Sequence, residues 1–259
     1  MNRAKILIPL PCFGFDPTEV AIPWKVFSEA GFDVTFATPD AKKARTDPRM
    51  LNGDDLSLLK SVLQARKDAQ SAYTAMEKSD AFCHPISYEA SQETDFDALL
   101  LPGGHDKGVK EYLESDLLQH LVGAFFASRK VVGAICHGVV LAARSKDPNT
   151  EKSVLYDYKT TALLKSQERL AYNLTRFWLQ DYYLTYPEIT VEDEIKSALA
   201  NPKNFITGNT PLLRDAPNHL KRGFFVRDRN YISARWPGDA YNFALEFANM
   251  LNQYAQSIR

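Results

Sequence analysis

The apolar positions fall first into a strand, a helix and a second strand. Lys5 to Leu10 is a short, nearly continuous apolar run stopped by Pro11, the pattern of a buried strand. Asp16, Pro17 and Glu19 then read as a helix start: a cap, a proline in the first turn and a carboxylate three residues after the cap. Val20, Trp24, Phe27 and Ala30 follow at helical spacing, Gly31 closes the segment, and Phe32 to Ala37 reads as the next strand. Short connections between these three pieces predict a βαβ unit and a parallel sheet. The rhythm returns at Phe96 to Leu101, a strand ending in Pro102-Gly103-Gly104, and at the apolar run Lys130 to Ile135. An amphipathic helix over Glu111 to Ala127 is expected between those strands, and another begins at Gly138.

Residues 41–96 break this pattern, with only a weak helical period over Asp55 to Met76. They read as an insertion folded over the sheet, either a lid, a dimer contact or a surface excursion. Further on, Val154 to Leu163 is strand-like and Ser166 to Tyr183 is strongly helical, with an aromatic stripe of Leu170, Leu174, Phe177, Trp178 and Tyr182. Such a stripe is expected in a core or a subunit interface. Val191 to Ala200 reads as a helix, and Phe224 to Val226 with Tyr231 to Ser233 as a hairpin around Arg227-Asp228-Arg229-Asn230. A last helix covers Asp239 to Tyr254. Neither a dividing linker nor a fixed-period repeat interrupts the chain, so residues 1–259 are expected to form a single α/β domain with an insertion at about 41–96.

Composition narrows the classes. With 45% hydrophobic and 24% charged residues the chain is globular, and 31 Lys+Arg against 32 Asp+Glu create no field that would draw in nucleic acid or an anionic membrane. The three cysteines, Cys12, Cys83 and Cys136, are too few for a disulfide framework and fit a reducing compartment. The longest apolar run, Val131 to Ala143, is too short to span a bilayer, and the first residues lack the apolar stretch of a signal peptide. The expectation is a cytoplasmic protein. His84, His105, His120, His137 and His219 form no closely spaced pair, so no metal is expected.

In an open parallel sheet, chemistry collects at the carboxyl ends of the strands. Three segments qualify: Glu19 after the first strand, Gly103-Gly104-His105-Asp106 after the third, and Cys136-His137-Gly138 after the fourth. They meet only if those strands are neighbours. The third segment has the steric signature of a nucleophile elbow, with small residues two positions before and two after Cys136. A helix N-terminus there is expected to favour the thiolate, although a buried cysteine closing a strand has the same pattern. Amides at Gly103-Gly104 are placed to face an oxyanion beside Cys136, and a double glycine is also ordinary turn chemistry. Glu19 is either a capping carboxylate or a functional acid beside the helix-breaking Pro23.

Taken together, Lys5 to Leu10, Glu19 to Pro23, LPGGHD at 101–106, AICHG at 134–138 and the closing Arg229-Asn230-Tyr231-Ile232-Ser233 resemble the ThiJ/PfpI family, within the class I glutamine amidotransferase-like fold. The resemblance implies a flavodoxin-like three-layer α/β sandwich with a mostly parallel central sheet and an inserted lid-like segment. It also implies a catalytic Cys136 beside a protonated Glu19, with His137 and a later acid completing a triad. By its spacing after Thr161, as in the glyoxalase III-like branch, that acid is Glu168; Asp157 competes, and Glu168 also suits the first turn of a helix. Gly103, Gly104 and His105 are then the oxyanion and substrate-binding residues. The activity implied is a cofactor-independent, glutathione-independent glyoxalase acting on a small 2-oxoaldehyde, with a homo-oligomer, a dimer, as its assembly. A cysteine hydrolase and a redox-responsive or chaperone-like protein are the alternatives. Asp106 and Lys107 depart from the family pattern, which often has glycine after Gly-Gly-His, and place charge at the pocket mouth.

Overall fold

A central sheet of seven strands organises the computed structural model, which describes residues 3–257. In chain order the strands are β1 (Lys5–Pro9), β2 (Phe13–Phe15), β3 (Asp33–Thr38), β4 (Arg45–Thr46), β5 (Ile86–Ser87), β6 (Ala98–Leu101), β7 (Val131–Ile135), β8 (Phe225–Asp228) and β9 (Tyr231–Ala234). The sheet runs β5-β3-β1-β6-β7-β9-β8, parallel throughout except for the β8–β9 hairpin, and β2 and β4 pair separately. From β1 the chain crosses to β3 on one side, and from β6 it crosses to β7 on the other. Right-handed crossovers therefore put their helices on opposite faces. The first face carries Pro17–Glu29, Lys67–Met76 and Ala240–Ser257; the second carries Asp116–Ala127, Gly138–Arg144 and Val191–Ala198. Covered on both faces, Ile6, Leu7, Ile8, Leu99, Leu100 and Val132 are fully buried. This is the flavodoxin-like sandwich expected. Among the described residues, no helix is long and apolar enough to cross a membrane.

Four local expectations are corrected. The insertion is broken into short helices, and its Tyr73, Met76 and Phe82 enter the main core, where Phe82 packs edge-on to Phe36. The helix expected over residues 111–127 is split into Lys110–Leu113 and Asp116–Ala127, because Ser115 caps the second piece through Leu118 N–H. Residues 154–163 form no strand; Thr160 makes one isolated bridge to Phe205. The aromatic stripe on Lys165–Leu179 is not core either: Leu170, Leu174, Phe177 and Trp178 are exposed, and Tyr182, beyond the helix end, is buried.

Tyr182 belongs to a second, smaller apolar cluster with Met50, Leu56, Leu179 and Tyr183. The cluster joins the early insertion to the segment following Leu179. Trp178 Nε1 donates to Asp55 O at 3.0 Å, and Tyr182 donates its hydroxyl to the Asp47 carboxylate. Two pieces of chain more than a hundred residues apart thus share one small core. It lies over the carboxyl edge of the sheet.

Candidate active site

Strands β1, β6 and β7 are adjacent, so the three candidate segments meet at one edge of the sheet. The elbow is real in its backbone: Cys136 sits at φ 56°, a left-handed conformation that a non-glycine residue adopts at a cost. Its amide donates to Ala234 O on β9 at 3.1 Å, and the chain turns at once into Gly138–Arg144. Small neighbours are mandatory here. A Cβ on Gly138 would lie 2.0 Å from Leu101 O, and one on Gly103 would lie 2.7 Å from the His137 nitrogen and 2.9 Å from Glu19 Oε2.

Glu19 is placed by its helix. Asp16 caps Pro17–Glu29 by accepting from Thr18 and Glu19 N–H at 2.7 and 3.1 Å, and the helix continues through Pro23. Glu19 Oε2 accepts the Gly103 N–H at 2.8 Å. Its other oxygen, Oε1, has no hydrogen-bond partner among the described residues. Burial, reinforced by the negative Asp16, holds Glu19 well above the usual carboxylate range, so the acid keeps its proton. Gly103 is thereby corrected as an oxyanion donor: its amide is already committed to Glu19. Gly104 remains beside it, packed so closely that a Cβ there would lie 2.5 Å from Gly14 O.

The thiol stands 3.5 Å from His137 Nδ1. Burial raises the Cys136 thiol well above its ordinary value, and Glu19 and Asp16 add to the effect. The His137 amide acts in the opposite direction and loses. The expected thiolate at rest is therefore corrected to a thiol, because desolvation outweighs the turn's amide dipoles. Burial also pushes His137 well below the usual histidine range and His105 down to about 4, so both rings are neutral.

Glu168 is buried, and its Oε2 accepts Val191 N–H at 3.0 Å, bracing the start of Val191–Ala198. Burial raises it to about 7. No hydrogen bond joins it to His137, whose Nε2 has no partner among the described residues. Asp157 is exposed and lines a different cavity, about 630 Å³ in volume, with Phe126, Arg129 and Arg229 at the opposite edge of the sheet. That cleft holds none of the other candidate residues. Among the described residues, no group of three or more His, Cys, Asp or Glu side chains is gathered to hold a metal ion.

The chemistry is sealed. Cys136, His137 and Glu19 are at most 1% exposed, and His105 is 9% exposed. The insertion supplies part of the roof, through Asp47, Met50 and Leu56. The remainder is the strap after Leu179. Tyr183 packs on His105 with ring centroids 4.9 Å apart, and His105 on His137 at 5.0 Å. Thr185 donates its hydroxyl to His105 O at 3.1 Å, and Lys107 pairs with Asp181. Motif reasoning passes over Tyr183; the only sequence signal is an aromatic pair just beyond a helix end.

Known proteins resemble this chain in sequence and in fold. A protein/nucleic acid deglycase HchA from Staphylococcus aureus is 25% identical over 206 residues, 77% of this chain and 68% of that one. A glutathione-independent glyoxalase, hsp3101, from Schizosaccharomyces pombe is 28% identical over 152 residues, 58% of this chain and 59% of its own. The structure of glyoxalase III from Candida albicans superposes with a TM-score of 0.65 at 19% identity, covering 95% of this chain and 97% of that one, a likeness of fold. The model of the family described as ThiJ/PfpI family-like matches residues 10–201. A match of that extent, over a sheet and elbow of this form, makes the chain a member of the ThiJ/PfpI-like family.

Proposed function

We propose that the chain is a glutathione-independent glyoxalase that converts a small 2-oxoaldehyde to a 2-hydroxy acid. The observation that carries this reading is the closed roof over a cysteine–histidine pair. A hydrolase acting on peptides or amides needs an open cleft, whereas a site closed over its nucleophile suits a substrate of a few atoms. The glyoxalase name of the Schizosaccharomyces pombe relative points the same way.

The residues supply each step. As the Cys136 sulfur adds to the aldehyde carbon, its proton passes to His137 Nδ1, 3.5 Å away. The oxyanion of the resulting hemithioacetal faces the Gly104 and His137 amides. His137 returns the thiol's proton to the oxyanion; then, neutral again, it takes the proton of the former aldehyde carbon and delivers it to the adjacent carbon, while the hydroxyl proton passes to the former ketone oxygen. The aldehyde carbon is oxidised to a thioester and the ketone carbon reduced to an alcohol, so the electrons balance within the substrate and no cofactor is required. Water cleaves the C–S bond, releasing hydroxy acid and thiol. Glu19, protonated and fixed by Gly103, donates beside the sulfur and is unsuited to act as base, which assigns the base role to His137. Glu168 is assigned to support the imidazolium once it forms, with the oxygen Val191 leaves free; at rest no hydrogen bond joins it to His137. Methylglyoxal consumption without glutathione, run beside ester and amide substrates, tests the reading. Turnover of the aldehyde that is lost in C136A supports it; hydrolysis of amides with no aldehyde turnover overturns it.

A further inference from the structure

The roof brings a polar group that the steps above do not use. Tyr183 is 2% exposed, yet its hydroxyl has no hydrogen-bond partner among the described residues. A buried phenol without a partner is costly, and tyrosine hydroxyls in interiors are normally satisfied. Its neighbour shows the contrast, since Tyr182 spends its hydroxyl on Asp47. The unspent Tyr183 hydroxyl sits on a ring packed against His105, itself packed on His137. The Asp16 carboxylate influences both the Cys136 thiol and the Tyr183 phenol, which puts the two groups in one electrostatic neighbourhood. Burial raises the phenol far above neutrality, so it remains a donor at any working pH.

The strap that carries Tyr183 is built to be held in place. Helix Lys165–Leu179 ends at Gln180 with φ 53° and ψ −125°, a region that a non-glycine side chain rarely occupies. Four contacts then fasten the following residues: Lys107 with Asp181, Asp47 with Tyr182, the Arg49 guanidinium 5.0 Å from the Tyr182 ring centroid, and Thr185 with His105 O. Such over-determination fits a segment that must present one side chain accurately.

We propose that Tyr183 is a substrate-binding residue whose hydroxyl donates to the ketone oxygen of a 2-oxoaldehyde while Cys136 holds the aldehyde carbon. The assignment rests on the glyoxalase reading for its substrate and completes it chemically. The Gly104 and His137 amides serve the oxygen on the aldehyde carbon; the second oxygen gains negative charge as the enediol forms and needs a donor of its own. A substrate with one carbonyl would leave the phenol unsatisfied, which selects for 2-oxoaldehydes over simple aldehydes.

Tyr183→Phe keeps the ring and removes the donor. We expect kcat/KM for methylglyoxal to fall about 10- to 100-fold, the range for a hydrogen bond that strengthens as charge develops. Hydroxyacetone, which offers the ketone without an aldehyde, serves as a binding probe: it should protect Cys136 from iodoacetamide about tenfold less well in Y183F, the same hydrogen bond read in the ground state. Alkylation without the probe should stay within about twofold of wild type, since the ring that closes the roof is kept. A loosened roof would instead speed that bare reaction, as Tyr182→Phe is expected to do. Equal protection of wild type and Y183F, or protection of neither, overturns the assignment. If wild type makes no hydroxy acid but hydroxyacetone still discriminates Y183F, the glyoxalase reading falls and the Tyr183 site stands. If wild type turns methylglyoxal over and Y183F matches it, the Tyr183 site falls and the glyoxalase reading stands.

Discussion

Replacing Glu168 with glutamine separates its structural role from its chemical one. Burial raises the Glu168 carboxyl from 4.5 to about 7 in the folded chain. The folded value exceeds the unfolded one, so the benefit of the neutral acid is complete below about pH 4.5 and disappears as pH rises through 7. The loss is about 1.4 kcal/mol per pH unit across that window, or about 3 kcal/mol in total. Glutamine does not titrate, and its carbonyl oxygen can still accept the Val191 N–H. Urea unfolding across about pH 5 to 8 should therefore show E168Q gaining on wild type by about 2.5 kcal/mol between the extremes, with no further gain above about pH 8. In the proposed mechanism the same ionisation supports the His137 imidazolium, so wild-type kcat/KM should rise through about pH 7 and E168Q should lose that limb. A stability difference that does not vary with pH, or one that moves toward wild type at high pH, would refute the burial argument. Unchanged pH–rate curves would remove Glu168 from the chemistry.

Gly103→Ala forces a Cβ to 2.7 Å from the His137 nitrogen and 3.1 Å from Cys136 Cβ; it should cost about 1–3 kcal/mol in urea melts and slow Cys136 alkylation. Glu19→Ala orphans the buried Gly103 amide, and a loss of about 1–3 kcal/mol is expected from that alone, read by thermal unfolding. Phe177→Ser alters a side chain that is 83% exposed, so stability should move by less than about 0.5 kcal/mol. A large drop would restore the stripe on Lys165–Leu179 to a core role.

The parts of the fold that are legible in the sequence are those whose partners lie on both faces of the sheet. β1, β6 and β7 are continuous apolar runs because helices cover them twice, and this also makes the elbow at Cys136 recognisable. The stripe from Leu170 to Trp178 does not belong to the core for a related reason: periodicity reports which residues share a helix face and says nothing about what covers it. The roof escapes detection because Asp47, Asp55 and Tyr182 belong to segments that only tertiary packing joins. The state of Cys136 is misread because an amide dipole can be inferred from a turn, whereas complete desolvation is visible only in three dimensions. Glu168 stands out as an acid at the right spacing, and the structure gives its carboxylate to Val191.

The central claim is that Cys136 drives an internal oxidation–reduction of a 2-oxoaldehyde. Proton NMR of methylglyoxal incubated with the purified protein, without glutathione, measures substrate and lactate together. The account predicts one lactate for each methylglyoxal consumed by wild type and none above background with C136S. Loss of methylglyoxal without lactate, or equal lactate from C136S, would contradict it.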